Sequence, residues 1–261
     1  MRYQRVRLHE QSDPRYRAYV AKIMMSRANH KAIRPASNRS IFGGEVEVLL
    51  RQWLAQFHPL SERRFVEYDE RNGRQLVRKY REIDAVFEYT ARQLHVFEMK
   101  ATSQVRSLNR GLRQLNETQT ILNTIMGNIH STILLVDTGI ITAAEVSQLM
   151  AEPDPPPYAP VTLDDFIRDH PLIPIIAPTA FDPTRAEVHI VRFAIDDIIA
   201  LAGDKASSLH LDWSDEFEDD DEPNEPPTRV TYESQDTHEE MVESPLAAAM
   251  RRALLPPDER V

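Results

Sequence analysis

The segment Ile83–Thr102 constrains the fold more than any other stretch, because two short apolar runs in it flank a polar break. The runs are Ile83–Phe87 and Leu94–Phe97, and the residues 90–93 form the break. Short runs of β-branched and aromatic residues joined by a polar connection are typical of a β-hairpin. The sequence therefore predicts two antiparallel strands in this segment.

Three residues of the predicted hairpin have side chains that are expensive to bury, namely Asp84, Glu98 and Lys100. Glu98 and Lys100 are two positions apart, so on a strand their side chains lie on the same face. Asp84 lies on the preceding strand, and the hairpin pairing can bring it opposite them. Two carboxylates and an ammonium on one face suit a hard divalent cation with a bound water. The alternative is a surface strand with a cross-strand ion pair, which contributes little to stability.

A longer pattern surrounds these residues: Arg81-Glu82-Ile83-Asp84 is followed, after thirteen intervening residues, by Glu98-Met99-Lys100. Val96-Phe97 precedes Glu98, and Ala101-Thr102 follows Lys100. The pattern resembles the signature of the PD-(D/E)xK, or restriction-endonuclease-like, nuclease superfamily, and the resemblance covers residues 40–136. No proline precedes Asp84, and many members of the superfamily lack one as well.

The resemblance implies a nuclease, either endo- or exonucleolytic, that hydrolyses phosphodiester bonds with Mg²⁺ or Mn²⁺. The metal ligands would be Asp84, Glu98 and the backbone carbonyl of Met99. Lys100 would orient or deprotonate the attacking water, or stabilise charge that develops on the phosphate. Defence, repair and recombination are the settings in which such nucleases act.

A helix is predicted from Phe42 onward, because Val46, Leu50, Trp53 and the apolar residues between them form one stripe that ends before Pro59. In the superfamily, a Glu near the start of this helix helps to hold the metal or its waters. Glu47 fits that position best, and Glu45 is the alternative. An ordinary Glu in a first helical turn, favoured there by the helix dipole, would explain either residue without a metal.

Residues 63–100 are predicted to form a three-stranded antiparallel meander, with Arg63–Asp69 as an edge strand and Gln75–Phe87 as the second strand. A helix over 104–126 follows, and residues 131–136 are an apolar run typical of a buried strand. In the superfamily a Gln or Lys on this second helix reaches the active site, and Gln114 is the candidate here. Arg106, Arg110 and Arg113 on the same helix are candidate contacts for nucleic-acid phosphates.

These elements predict an α/β fold with an αβββαβ core, in which helices flank a mixed sheet. The core occupies 40–150, after a basic N-terminal helical arm over 1–39 that contains a helix from Pro14 to about Asn29. Beyond a proline-rich linker, residues 151–205 form either an addition to the same sheet or a small flanking lobe. Residues 206–261 form an acidic, mostly disordered tail, in which Pro245–Leu255 could be a short helix that binds a protein partner.

Charge is distributed unevenly along the chain. Residues 1–128 contain 23 Lys and Arg against 13 Asp and Glu, a net charge of +10. Residues 129–205 contain 4 against 12, and residues 206–261 contain 4 against 16, for net charges of −8 and −12. Because the basic part carries the hairpin, we expect a polyanionic substrate. The nuclease resemblance implies that this substrate is a nucleic acid, with DNA preferred. The alternative is a basic face that is balanced by the acidic tail.

Composition also limits the compartment and the class of protein. The chain has no cysteine, which excludes disulfides and thiolate zinc sites and fits a cytoplasmic location. No apolar run approaches the ~20 residues of a membrane span, so no membrane partner is expected. Two further readings stay open: a catalytically inactive nuclease fold that binds nucleic acid or a partner, and a regulatory subunit whose acidic tail and terminal helix are the working parts.

Overall fold

The computed structural model describes residues 2–28, 37–73 and 75–211. The acidic segment beyond residue 211, including the predicted helix Pro245–Leu255, lies outside the described residues. The strands are β1 (Tyr3–Glu10), β2 (Arg63–Asn72), β3 (Gln75–Glu82), β4 (Ala85–Thr90), β5 (Gln93–Thr102), β6 (Asn128–Asp137), β7 (Ile175–Ile176) and β8 (His189–Phe193). The helices are α1 (Pro14–Ala28), α2 (Asn38–Leu54), α3 (Val105–Leu122), α4 (Ala143–Leu149), α5 (Leu163–Asp169) and α6 (Ile195–Ala202).

The larger sheet has five strands in the order β4-β5-β6-β8-β7. β4 runs antiparallel to β5, and the remaining neighbours are parallel, so the sheet is mixed. Alternate residues of β5 enter two apolar cores: Leu94 and Val96 pack with α3, whereas Phe97 and Met99 pack with α2. The predicted α/β class, with a mixed sheet between helices, is confirmed.

The smaller sheet has three antiparallel strands in the order β1-β2-β3. Helix α1 packs on it, with the rings of Tyr16 and Phe65 4.1 Å apart. Helix α1 begins at Pro14, as predicted for the N-terminal helical arm over 1–39, but Tyr3–Glu10 of that arm form the unpredicted strand β1. The prediction that Arg63–Asp69 is an edge strand is wrong, because β2 is the central strand of its sheet. A register shift near Arg5, whose φ is +51°, interrupts the alternation of buried residues that would have identified β1.

The stretch Gln75–Phe87, predicted as one strand, is two strands that belong to different sheets. β3 ends at Glu82, β4 begins at Ala85, and Ile83 and Asp84 form the bend between them. Backbone pairing with β2 continues into the bend, because Ile83 N–H donates to Arg64 O at 2.9 Å. The predicted meander is therefore a chain path that turns from one sheet into the other at Asp84.

Residues 151–205 add to the larger sheet, which decides between the two alternatives left open by the sequence. β8 pairs with β6, and β7 pairs with β8 at the edge. Both strands are shorter than the apolar runs that suggested them, which began at Leu172 and Ala186. Among the described residues, no helix is both long enough and apolar enough to cross a bilayer.

Candidate functional site

The register of the β4–β5 hairpin brings the three predicted site residues, Asp84, Glu98 and Lys100, close together. Ala85 pairs with Phe97, so Asp84, immediately before β4, lies across from Glu98. Met99 N–H donates to Asp84 Oδ2 at 2.6 Å, and Lys100 Nζ lies 2.7 Å from Glu98 Oε1. All three side chains line one cavity of about 380 Å³.

Helices α2 and α3 supply further walls of this cavity, and Arg81 and Glu82 at the end of β3 line it as well. From α2 come Arg39, Ser40, Gly43 and Glu47, and from α3 come Ser107, Arg110 and Gln114. Gly111 lets α3 approach the strand closely, since a Cβ at this position would lie 3.2 Å from Lys100 Cγ and 3.6 Å from Glu98 Cγ. The side chains of Glu98 and Lys100 are thus enclosed in a cavity and do not lie on an open face of the sheet.

Burial and mutual repulsion dominate the electrostatics of the carboxylates. Burial, reinforced by the charge of Glu98, raises the pKa of Asp84 to about 7, although Lys100 and the Met99 N–H oppose the shift. Burial likewise raises the pKa of Glu47, although Arg51 opposes it. A cation in the cavity would relieve this repulsion and favour the ionised carboxylates.

The charge state of Lys100 was left open by the sequence. Burial by itself would lower the pKa of Lys100, but Glu98 and Asp84 outweigh that effect and raise it. The side chain is therefore an ammonium at neutral pH in the metal-free protein. As an ammonium it can stabilise negative charge, but it cannot accept a proton.

The other predicted site residues divide between the cavity and the surface. Glu47 lines the cavity, whereas Glu45 faces His210, whose Nδ1 lies 2.7 Å from Glu45 Oε1. Gln114 and Arg110 also line the cavity. Of the remaining predicted phosphate contacts, Arg106 is exposed, and Arg113 lines a separate groove of about 520 Å³ with Arg2 and Tyr3. Arg110 is thus the predicted phosphate contact that the fold brings next to the carboxylates.

Several arginines with structural contacts to this site were not predicted from the sequence, among them Arg51 and Arg81. Arg51 Nε donates to Asp84 O at 2.7 Å, and Arg81 Nη1 donates to Gln114 O at 2.9 Å. Arg51 lies one helical turn after Glu47, a spacing that predicts an ion pair on α2. Arg81 stands within the quoted motif, but its contact with α3 depends on the bend at Asp84, which the sequence pattern did not reveal.

A divalent cation could be held by oxygen atoms of Asp84, Glu98 and Met99. One oxygen of each carboxylate is engaged with Met99 N–H or Lys100, and the second can coordinate a metal. The N–H and C=O of a strand residue face the same neighbouring strand, so the Met99 carbonyl lies on the Asp84 side. Within the described ranges, no group of three or more His, Cys, Asp or Glu side chains has the arrangement of a metal site. Two carboxylates with water and substrate oxygens are nevertheless a common donor set for Mg²⁺.

The histidines of the sheet do not contribute to the cavity. His95 lies on the face of β5 opposite Glu98, and its Nε2 lies 2.7 Å from Thr132 Oγ1 in the buried core. Burial lowers the pKa of His95 to about 3, so the ring is neutral. A neutral, hydrogen-bonded ring in the apolar interior indicates a structural role.

Comparisons with known proteins gave no relative for this chain: no family model, no curated protein and no solved structure matches it. The resemblance to the PD-(D/E)xK superfamily therefore stays a prediction from the motif. Any function assigned to the chain depends on its own residues and on how they are arranged around the cavity.

Proposed function

We propose that this protein is a metal-dependent nuclease that hydrolyses phosphodiester bonds, with DNA as the preferred substrate. The observation that supports this most strongly is the convergence of Asp84, Glu98 and Lys100 in one cavity, where Glu47 faces them from α2. The restriction-endonuclease-like arrangement of helices and strands is part of the same proposal. The basic character of residues 1–128, with a net charge of +10, supports a polyanionic substrate.

In this proposal Asp84, Glu98 and the Met99 carbonyl would hold Mg²⁺ or Mn²⁺, and Glu47 would orient a water molecule beside it. When bound, such a cation polarises the phosphate and lowers the pKa of a coordinated water. The donors are all oxygens, which suits Mg²⁺ and Mn²⁺ rather than softer metals. The high pKa of Asp84 indicates that its carboxylate favours a neighbouring positive charge.

Lys100 and Arg110 act on the phosphate rather than on the metal. The Nζ of Lys100 lies 2.7 Å from Glu98 Oε1 at the cavity, and its proposed role is to stabilise negative charge that develops on the phosphate oxygens. Arg110, one turn along α3 from Ser107, can bind a phosphate oxygen at the cavity wall. Gln114 lies one further turn along, where its side chain can orient a water or the substrate.

The test is cleavage of single-stranded, duplex and branched DNA and of RNA by the purified full-length chain, with Mg²⁺, Mn²⁺ or EDTA. Asp84→Asn, Glu98→Gln and Lys100→Met should each reduce cleavage by at least about 100-fold, because each removes a charge on which the transition state depends. Double variants should be little worse than single ones, since the three groups act as a unit.

Lys79→Met is the matched control for Lys100→Met. Lys79 is similarly enclosed and pairs with Glu70 at 2.5 Å, but it lies on β3 away from the cavity lining. It should retain the wild-type rate. Cleavage that persists in EDTA would refute the metal assignment, and specific binding without cleavage of any substrate would favour the inactive, nucleic-acid-binding alternative.

A further inference from the structure

The bend at Ile83-Asp84 is held from two sides by arginine side chains. Arg51 on α2 donates from Nε to Asp84 O at 2.7 Å, and Arg64 on β2 donates from Nη1 to Ile83 O at 3.3 Å. These carbonyls lie where the chain leaves one sheet and enters the other, between the last residue of β3 and the first of β4. The arginines supply the hydrogen-bond donors that a regular strand partner would otherwise provide.

Each of the two arginines also binds a carboxylate that lines the cavity. Arg51 Nη2 lies 2.5 Å from Glu47 Oε1, and Arg64 Nη1 pairs with Glu82 Oε1. Glu47 and Glu82 belong to different elements, yet both face the same space as Asp84. A planar guanidinium can serve a carbonyl and a carboxylate at once, which a single ammonium does poorly.

We propose that Arg51 and Arg64 are a pair of positioning residues, an arginine clamp, that sets the carboxylates of the cavity before a cation arrives. The clamp holds the backbone of Asp84 at the bend and keeps Glu47 and Glu82 against the cavity wall. Its consequence for metal binding rests on the proposed nuclease function. Its effect on the bend is independent of that function.

Charge gives a reason for such a clamp. Four carboxylates line the cavity, those of Glu47, Glu82, Asp84 and Glu98, and their repulsion would drive them apart. Lys100 offsets the negative charge of Glu98, and the two arginines of the clamp offset the charges of Glu47 and Glu82. The phenyl ring of Phe65 supports one arm, because the Arg64 guanidinium carbon lies 4.8 Å from its centroid.

The experiment compares Arg51→Met, Arg64→Met, their double variant and Arg51→Lys with wild type. Two quantities are measured: amide hydrogen exchange at Met99, whose N–H donates to Asp84 Oδ2, and the affinity for Mn²⁺ by calorimetry. We expect exchange at Met99 to accelerate relative to Val96 on the same strand, and Mn²⁺ to bind about 10- to 100-fold more weakly, as when outer-shell partners of metal ligands are removed. Arg51→Lys should behave like Arg51→Met, because the two-sided contact is lost.

Arg63→Met is the matched control, since Arg63 is the neighbour of Arg64 on β2 and pairs with Glu88 at 3.4 Å outside the cavity lining. Equal acceleration at Met99 and Val96, or the same effect in Arg63→Met, would overturn the clamp. A wild-type protein that neither binds Mn²⁺ nor cleaves would refute the nuclease, whereas selective acceleration at Met99 in that protein would still support the clamp.

Discussion

At the scale of single residues, Asp84 is held under opposing influences. Its carboxylate is crowded by Glu98 and partly buried, yet it accepts a hydrogen bond from Met99 N–H and its peptide accepts one from Arg51. The surroundings thus fix the position of the carboxyl group but disfavour its ionised form. Such a combination is common where a charge is used for binding or catalysis, because residues optimised for stability alone avoid it.

Asp84→Asn tests this conflict through the pH dependence of stability. The folded pKa of Asp84, about 7, lies above its ordinary value of 3.8, so the folded protein binds the proton more tightly than the unfolded chain does. The stability that Asp84 contributes is present below about pH 4 and is lost as the pH rises through about 7. Asn keeps an oxygen for the Met99 N–H and carries no charge.

In the absence of metal, we therefore expect Asp84→Asn to raise the free energy of unfolding at about pH 8, by on the order of 1–3 kcal/mol, while cleavage is lost. Near about pH 4 the variant and wild type should unfold alike. Urea denaturation at both pH values measures this difference. A variant that is less stable than wild type at about pH 8 would show that Asp84 stabilises the fold as an anion.

At the scale of elements, the contact between α3 and β5 determines where Lys100 can point. Gly111→Ala should add about 1 kcal/mol of helix propensity to α3. The new methyl group would lie 3.2 Å from Lys100 Cγ and 3.3 Å from Lys100 Cε, so the lysine must move by a few tenths of an ångström. We expect thermal stability to change little and cleavage to fall by about tenfold, because catalytic geometry tolerates less displacement than packing does.

Gly44→Ala is the control for this substitution. Gly44 is also in a helix, α2, but a Cβ there would meet nothing within 4 Å. It should gain stability from helix propensity and keep its rate of cleavage. If both alanine variants cleave at the wild-type rate, Lys100 either adapts to the added methyl group or takes no part in the reaction.

The elements also show how far the sequence could predict this molecule. The β4–β5 hairpin and α3 follow from local apolar patterns, and the positions of Asp84, Glu98 and Lys100 follow from them. Strand β1 was missed because the irregularity at Arg5 hides its alternation, and the bend at Asp84 was missed because both carbonyls are satisfied by arginines distant in sequence. Local patterns in the sequence predict local structure, whereas Arg51 and Arg64 contact residues that are far from them in sequence and near them only in the folded chain.

At the scale of the whole molecule, charge separates along the chain. The described part ends next to α2, where His210 N–H donates to Glu45 at 3.0 Å. The fifty residues that follow, 212–261, carry all the charge of the acidic segment, because residues 206–211 have no ionisable acid or base other than His210. The acidic segment therefore begins close to α2, the helix that lines one side of the candidate site.

Deleting residues 212–261 should tighten binding to DNA. The deleted segment has a net charge of −12, and the part of the chain that carries the cavity has +10, so attached carboxylates compete with phosphates at high effective concentration. Salt screens this competition, so the gain in affinity should be larger at about 50 mM than at about 300 mM salt. Fluorescence anisotropy with the Asp84→Asn variant, with and without the segment, measures binding without cleavage. If the full-length and shortened proteins bind DNA with equal affinity at each salt concentration, the segment does not contact the basic surface. If the shortened protein binds more weakly, the segment takes part in binding the nucleic acid.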